Sequence, residues 1–319
     1  MLKRWMTLLC LMGIGLTIRD GMALDLTYKE GSAAVEGGNI WYQVVSDEAT
    51  QSKTPLLVVH GGPGLSHDYL NVLIKIAHDR PVIFYDQLGC GYSAITDNDN
   101  SLWTKERYQR ELETLVEALH LQQLHLLGHS WGGGLAADYA VNHSDTVKSL
   151  TLASPLLSAA MWKKDTQQLL KQLPQEMQKA IRTNEEQGTF DAEDYRQASE
   201  TYAQLFICRM KEWPKSLVTV TAQKNMDIYK TMWGPSEFTV IGNLNQFDTI
   251  REVTKLIMPI LFTCGKYDEV RPETLASIVQ HVPQGQLVIY PHSAHMAFLE
   301  ETDDYIKNLR LFLKTVEQI

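Results

Sequence analysis

The chain has 319 residues, 44% of them hydrophobic and 21% charged, and a formal net charge of −9. That balance supports a large buried core and excludes a disordered chain, and the length suits one large domain with an insertion or two ordinary domains. Its lysines and arginines are spread along the sequence, so no basic stripe is available to neutralise phosphates, and nucleic acid is not expected as a partner.

At the amino terminus, Lys3 and Arg4 precede an apolar stretch from Trp5 to Ile18 and the small-residue end Gly21-Met22-Ala23. The pattern predicts a secretory signal peptide over residues 1–23, cut after Ala23, and hence a secreted or periplasmic protein. Because the stretch is shorter than the roughly 20 residues that span a bilayer, a retained anchor is the weaker alternative, and no stable membrane insertion is expected after cleavage. Cys90, Cys208 and Cys264 lie beyond the cut, and their wide spacing fits no metal motif. An oxidising compartment allows them one bridge and one free thiol, with buried free thiols the plainer expectation.

Short apolar runs then alternate with amphipathic ones, the pattern of an α/β protein with a mostly parallel sheet. Leu56–Val59, Val82–Tyr85, Leu124–Leu127, Ile260–Thr263 and Leu287–Tyr290 read as strands. Between the second and third, Leu112, Leu115, Val116 and Leu119 recur at helical spacing and predict a surface helix packed on the sheet. From Thr151 to about Leu244 the strand signal stops and several helical patterns follow, with Trp162, Trp213 and Trp233 among them. A structureless loop of that length is implausible, so the stretch reads as a helical cap. The predicted organisation is a signal at 1–23, core at 24–150, cap at 151–244 and core again at 245–319.

The strongest local motif follows the third run: Gly128-His129-Ser130-Trp131-Gly132-Gly133 and then a helical run from Leu135 to Val141. A strand-to-helix turn sharp enough to lift a serine hydroxyl above a sheet leaves no room for side chains two residues either side, and Gly128 and Gly132 meet that demand. A serine at neutral pH needs a base, and the base needs an orienting acid. In α/β-hydrolases the chain order is Ser, then Asp or Glu, then His. Ser130, Asp268 and His295 supply it, the last two just after strand-like runs. His292 is the rival base; His295 is preferred because a loop of several residues is needed to carry the ring over the serine.

The oxyanion of acyl transfer needs backbone donors, one after the nucleophile and one from an earlier glycine-rich loop. Trp131 and Gly62, in His60-Gly61-Gly62-Pro63-Gly64, are assigned to them. That loop carries neither Gly-Lys-Ser/Thr nor Gly-x-Gly-x-x-Gly, so a nucleotide site is unsupported. His125 and His129 have a zinc-like spacing but span a strand and a turn, and no metal or other cofactor is implied.

With these motifs the chain resembles the proline iminopeptidase (prolyl aminopeptidase) family. The likeness rests on His60 to Gly64, Asp86 to Ser93, Gly128 to Gly133, the run Tyr229 to Phe238, and Gly265 to Val270. It implies the α/β-hydrolase fold with an inserted helical cap and a serine peptidase acting on short peptides with a free amino terminus, preferably proline. It also implies that Glu237 and Glu269 hold the substrate's amino group. An esterase or acyl-amide hydrolase on the same scaffold is the alternative within catalysis, and a binding protein on an inactive hydrolase scaffold the alternative outside it.

Overall fold

The computed structural model describes residues 26–96 and 99–318; the expected signal at residues 1–23 lies outside them. Among the described residues eight strands form one sheet in the order β1-β2-β4-β3-β5-β6-β7-β8. They are β1 (Leu26–Val35), β2 (Gly38–Asp47), β3 (Leu56–Val59), β4 (Val82–Tyr85), β5 (Leu124–His129), β6 (Val147–Ala153), β7 (Ile260–Gly265) and β8 (Gly285–Tyr290). The hairpin β1-β2 joins the sheet antiparallel at β4, and from β4 to β8 every pairing is parallel.

A parallel sheet is covered on both faces, which is why β3 and β4 read as unbroken apolar runs. Alternate residues serve opposite sides. Leu57, Val59, Ile83 and Tyr85 enter one core with α1 (Lys105–Ala118) and α2 (Trp131–Asn142). Leu56, Val58, Val82 and Phe84 enter the other, beneath a 3-10 helix at His67–His78. The predicted surface helix is α1, started by Thr104, whose hydroxyl accepts from the Arg107 N–H, and it buries Leu112, Leu115 and Val116.

Between β6 and β7 come α3 (Ala159–Leu170), α4 (Gln175–Gln187), α5 (Glu193–Phe206), α6 (Lys215–Ala222) and α7 (Met226–Met232). These helices include a core of their own, where Leu169, Ile181, Tyr195, Tyr202, Phe206 and Phe238 pack together. The chain then returns through α8 (Ile250–Val253), β7, α9 (Pro272–Val279), β8, α10 (Ala297–Glu300) and α11 (Thr302–Val316). The last buries Tyr305, Ile306, Leu309, Phe312, Leu313 and Val316 along one stripe against the second core.

Three strands carry no run that the sequence reading picked out. The hairpin β1-β2 is half exposed and mixes Lys29, Glu30 and Gln43 into its strands, while β6 interleaves Lys148, Ser149 and Thr151 with apolar residues. Thr151, where the helical stretch was expected to begin, lies inside β6, and the first helix after it starts at Ala159. Cys90, Cys208 and Cys264 are buried free thiols.

Candidate active site

Ser130 stands between β5 and α2 with φ 55° and ψ −123°, a backbone conformation that side chains rarely adopt. The turn closes because its flanks lack side chains. A Cβ on Gly128 would overlap the carbonyl of Gly132, and one on Gly132 would overlap the carbonyls of Val59 and His60. Gly132→Ala is therefore expected to destabilise the protein by more than about 3 kcal/mol, read as a large fall in the thermal midpoint by circular dichroism; an unchanged midpoint would show that the turn can relax.

His295 and Asp268 are delivered by the loops after β8 and β7. The His295 Nδ1–H donates to Asp268 Oδ1 at 2.8 Å. Asp268 also accepts from the Val270 N–H at 3.1 Å and from the Ser154 hydroxyl at 2.6 Å. Ser154 sits just past β6 with φ 47°. Sequence reading missed it because β6 itself was missed; a serine after that strand was the only available signal. The rival His292 is exposed, with its N–H on Glu301 Oε2 at 2.9 Å, away from Asp268.

The His295 loop is tied to the inserted helices, since its N–H donates to Phe206 O at 3.2 Å and that of Met296 to Ile207 O at 3.0 Å. A second chain of bonds ties it to the glycine-rich loop. The Gly61 N–H donates to the Tyr69 hydroxyl at 2.7 Å, which donates to His129 Nδ1 at 2.9 Å, and the His129 Nε2–H donates to His295 O at 3.2 Å. Only this proton arrangement satisfies all three. Burial, with the charge of His295, pushes His129 well below the usual imidazole range, so it stays neutral and keeps the relay intact. His125 instead bonds Ser149 Oγ at 2.7 Å. The zinc-like pair thus serves two separate internal contacts.

Trp131 opens α2, where first-turn N–H groups have no acceptor within the helix. Its indole donates to Gln87 Oε1 at 2.9 Å, and Gln87 Nε2 donates to His60 O at 2.8 Å, which fixes the glycine-rich loop against the start of α2. Gly62 has φ 120°, and Gly62, Ser130, His295, Glu237 and Glu269 line one pocket. All the sequence-predicted site residues but two touch that pocket directly. The exceptions are Asp268, which stands behind His295, and Trp131, which follows Ser130.

The two glutamates differ in setting. Glu269 is 0% exposed; Tyr202 donates to its Oε2 at 3.3 Å, while Oε1 has no hydrogen-bond partner and lies 3.6 Å from His295 Nε2. Burial, then the charges of Glu237 and Asp268, push its carboxyl well above the usual range. Glu237 is half-buried, and its backbone carbonyl accepts from the indoles of Trp162 and Trp233, each at 3.2 Å. Tyr202 bonds Glu269, and Tyr229 and Lys224 line the same pocket as the pair. None of the three was assigned a role from sequence, although Tyr229 opens the run that carries the family likeness.

A strained serine on a strand-to-helix turn, with an aspartate and a histidine on the loops after β7 and β8, defines a serine hydrolase, and residues 54–302 match the family described as α/β hydrolase fold. The chain is 41% identical over 290 residues to a proline iminopeptidase of Heyndrickxia coagulans, covering 91% of this chain and 100% of that protein. It is 38% identical to one of Lactobacillus acidophilus, covering 89% and 97%. The crystal structure of proline iminopeptidase from Mycobacterium smegmatis superposes with a TM-score of 0.83 at 31% identity, covering 91% of this chain and 99% of that one. The chain belongs to the α/β-hydrolases and, within them, to the proline iminopeptidase family.

Membership corrects one expectation. Proline iminopeptidases are typically cytosolic, so the secreted or periplasmic location read from residues 1–23 does not stand. A basic pair followed by an apolar run is a compositional signal that no tertiary contact checks. Among the described residues no helix is long and apolar enough to cross a membrane, and no group of three or more His, Cys, Asp and Glu side chains is placed to hold a metal ion.

Proposed function

We infer that this protein is a serine aminopeptidase that releases the amino-terminal residue, preferably proline, from short peptides. The observation that carries the reading is the Glu269 carboxylate, buried in the Ser130 pocket with one oxygen unpartnered. Ionising such a buried acid is costly unless a cation arrives. The amino terminus of a peptide is such a cation. At an effective dielectric near 20, an ammonium about 4 Å from one carboxylate gains roughly 4 kcal/mol before desolvation is subtracted.

In this mechanism Ser130 Oγ attacks the carbonyl of the first residue while His295 Nε2 takes its proton. Asp268, steadied by Ser154, orients the imidazole. The N–H groups of Gly62 and Trp131 receive the developing oxyanion. His295 returns the proton to the leaving amine, and water then frees the acyl group by the reverse sequence. Glu237 and Glu269 hold the amino group, which restricts cleavage to the first peptide bond. The helices α3–α7 and the segment that follows them act as the cap, with Tyr202 on α5 and Glu237 after α7.

The decisive assay is a panel of aminoacyl-arylamides that includes free and acetylated proline. Free prolyl-arylamide is expected to be the best substrate, with acetylation lowering kcat/KM by at least about 100-fold through loss of the ammonium contact. Equal turnover of the two would favour an esterase or acyl-amide hydrolase.

A further inference from the structure

Two cavities meet beside Ser130. The inner one holds Gly62, His129, Ser130, Glu269 and His295, and the outer one, of about 500 Å³, extends past Tyr202, Trp213 and Phe238. Both are lined by Leu65, Ile207, Lys224, Tyr229, Glu237 and Met296. Among the described residues that line both cavities, Lys224 is the one cation. Its Nζ stands 3.6 Å over the centre of the Tyr229 ring, a cation–π contact, and it makes no ion pair within 4 Å of either glutamate.

The lysine's position is built in rather than incidental. It precedes Asn225, whose N–H donates to Gly64 O at 2.9 Å and whose side chain donates to Gly89 O at 2.9 Å. Gly64, at φ 95°, is approached so closely by the Asn225 carbonyl that a Cβ would meet it at 2.6 Å. The segment that carries Lys224 is therefore clamped to the same loop that presents Gly62.

We propose that Lys224 is the resident counter-cation of the amino-group site, a positioning residue that offsets the negative charge of Glu237 and Glu269 in the empty enzyme while leaving their oxygens open to the substrate. This rests on the aminopeptidase reading above. Glu269 faces Glu237, Asp268, Tyr202, His295 and Lys224. Two neighbouring carboxylates in a dry site tend to share a proton, and a protonated pair binds an ammonium poorly. Burial, then Glu237 and Asp268, push the Glu269 carboxyl well up, and the Tyr202 hydroxyl and Lys224 oppose them. Burial holds the Lys224 ammonium below its usual range, and the charges of Glu237 and Glu269 oppose that shift. Because the lysine is held on the Tyr229 ring and not on the carboxylates, it supplies charge without occupying the substrate's place.

The test is the pH profile of prolyl-arylamide hydrolysis by wild type, Lys224→Met and Lys224→Arg, with equal labelling of Ser130 by a fluorophosphonate confirming that each variant is folded. In Lys224→Met the acid limb of kcat/KM is expected to move to higher pH by about one unit, so that KM below neutrality rises about tenfold. KM should converge on wild type as pH rises, kcat at saturation should change less than about twofold because the bound ammonium then replaces the lysine's charge, and Lys224→Arg should restore the limb. An unmoved limb, or a KM change equal at every pH, overturns the proposal and makes Lys224 a packing residue. Glu237→Gln and Glu269→Gln tested beside it separate the two readings. If they leave free prolyl-arylamide turnover intact, the amino-group site itself fails, whereas if they abolish it and Lys224→Met is silent, only the lysine's role is lost.

Discussion

Ser130→Ala is expected to lower kcat for prolyl-arylamide by on the order of 10⁵–10⁶-fold while leaving the fold intact, the scale on which removing the nucleophile of a serine triad acts. His295→Ala should cost about as much, and the double variant little more, since the two act as one unit. Asp268→Asn should cost less, about 10⁴-fold, because the imidazole is still present but held in the wrong tautomer. Ser154→Ala should cost far less than any of them: it removes one of the donors to Asp268, while the Val270 N–H remains. The serine's backbone sharpens the prediction. Ser130 occupies a positive-φ conformation that glycine adopts without strain. Ser130→Gly should therefore be inactive yet about 1 kcal/mol more stable, which thermal unfolding would register as a raised midpoint. A destabilised Ser130→Gly would mean that the turn stores no strain.

The second large effect concerns the amino-group site. Glu269→Gln and Glu237→Gln should each lower kcat/KM for free prolyl-arylamide by on the order of 10²–10³-fold, the usual cost of removing one partner from a desolvated charge pair. Activity on acetyl-prolyl-arylamide, already low, should barely change. The ratio between the two substrates is the informative measurement, because Glu269 adjoins Asp268 and its Oε1 lies 3.6 Å from His295 Nε2. A general disturbance of the triad would depress both substrates alike. Loss confined to the free amine isolates recognition of the ammonium, and a ratio unchanged by either substitution would remove Glu237 and Glu269 from the site.

Much of the fold was legible because its signals are local. A strand buried on both faces must be apolar throughout, so β3, β4 and β7 announce themselves. A strand shielded on one side, such as those of the β1-β2 hairpin, tolerates Lys29 and Glu30 and blurs into loop. The turn at Ser130 was equally legible, since close backbone approach at Gly128 and Gly132 forbids a Cβ. The leader-like start was legible in the same local terms and misled about location, because a basic pair and an apolar run are compositional signals that do not by themselves fix a destination.

By itself, then, the sequence determined the class of fold, the strained serine between its glycines, and the order in which an acid and a histidine follow it at strand ends. These depend on steric rules and on residues adjacent in the chain. The sequence also preferred His295 to His292. Tertiary structure alone showed the bond from the His295 Nδ1 to Asp268 and the bracing of that pair by Ser154 and His129. It alone showed that Glu269 is buried with an open oxygen and that Lys224 stands over Tyr229 at the neck of the pocket. Such facts depend on burial and on groups far apart in sequence, 141 residues in the case of Ser154 and His295. Charge in a dry pocket is set by what the fold packs around it, and the order of the residues does not record that.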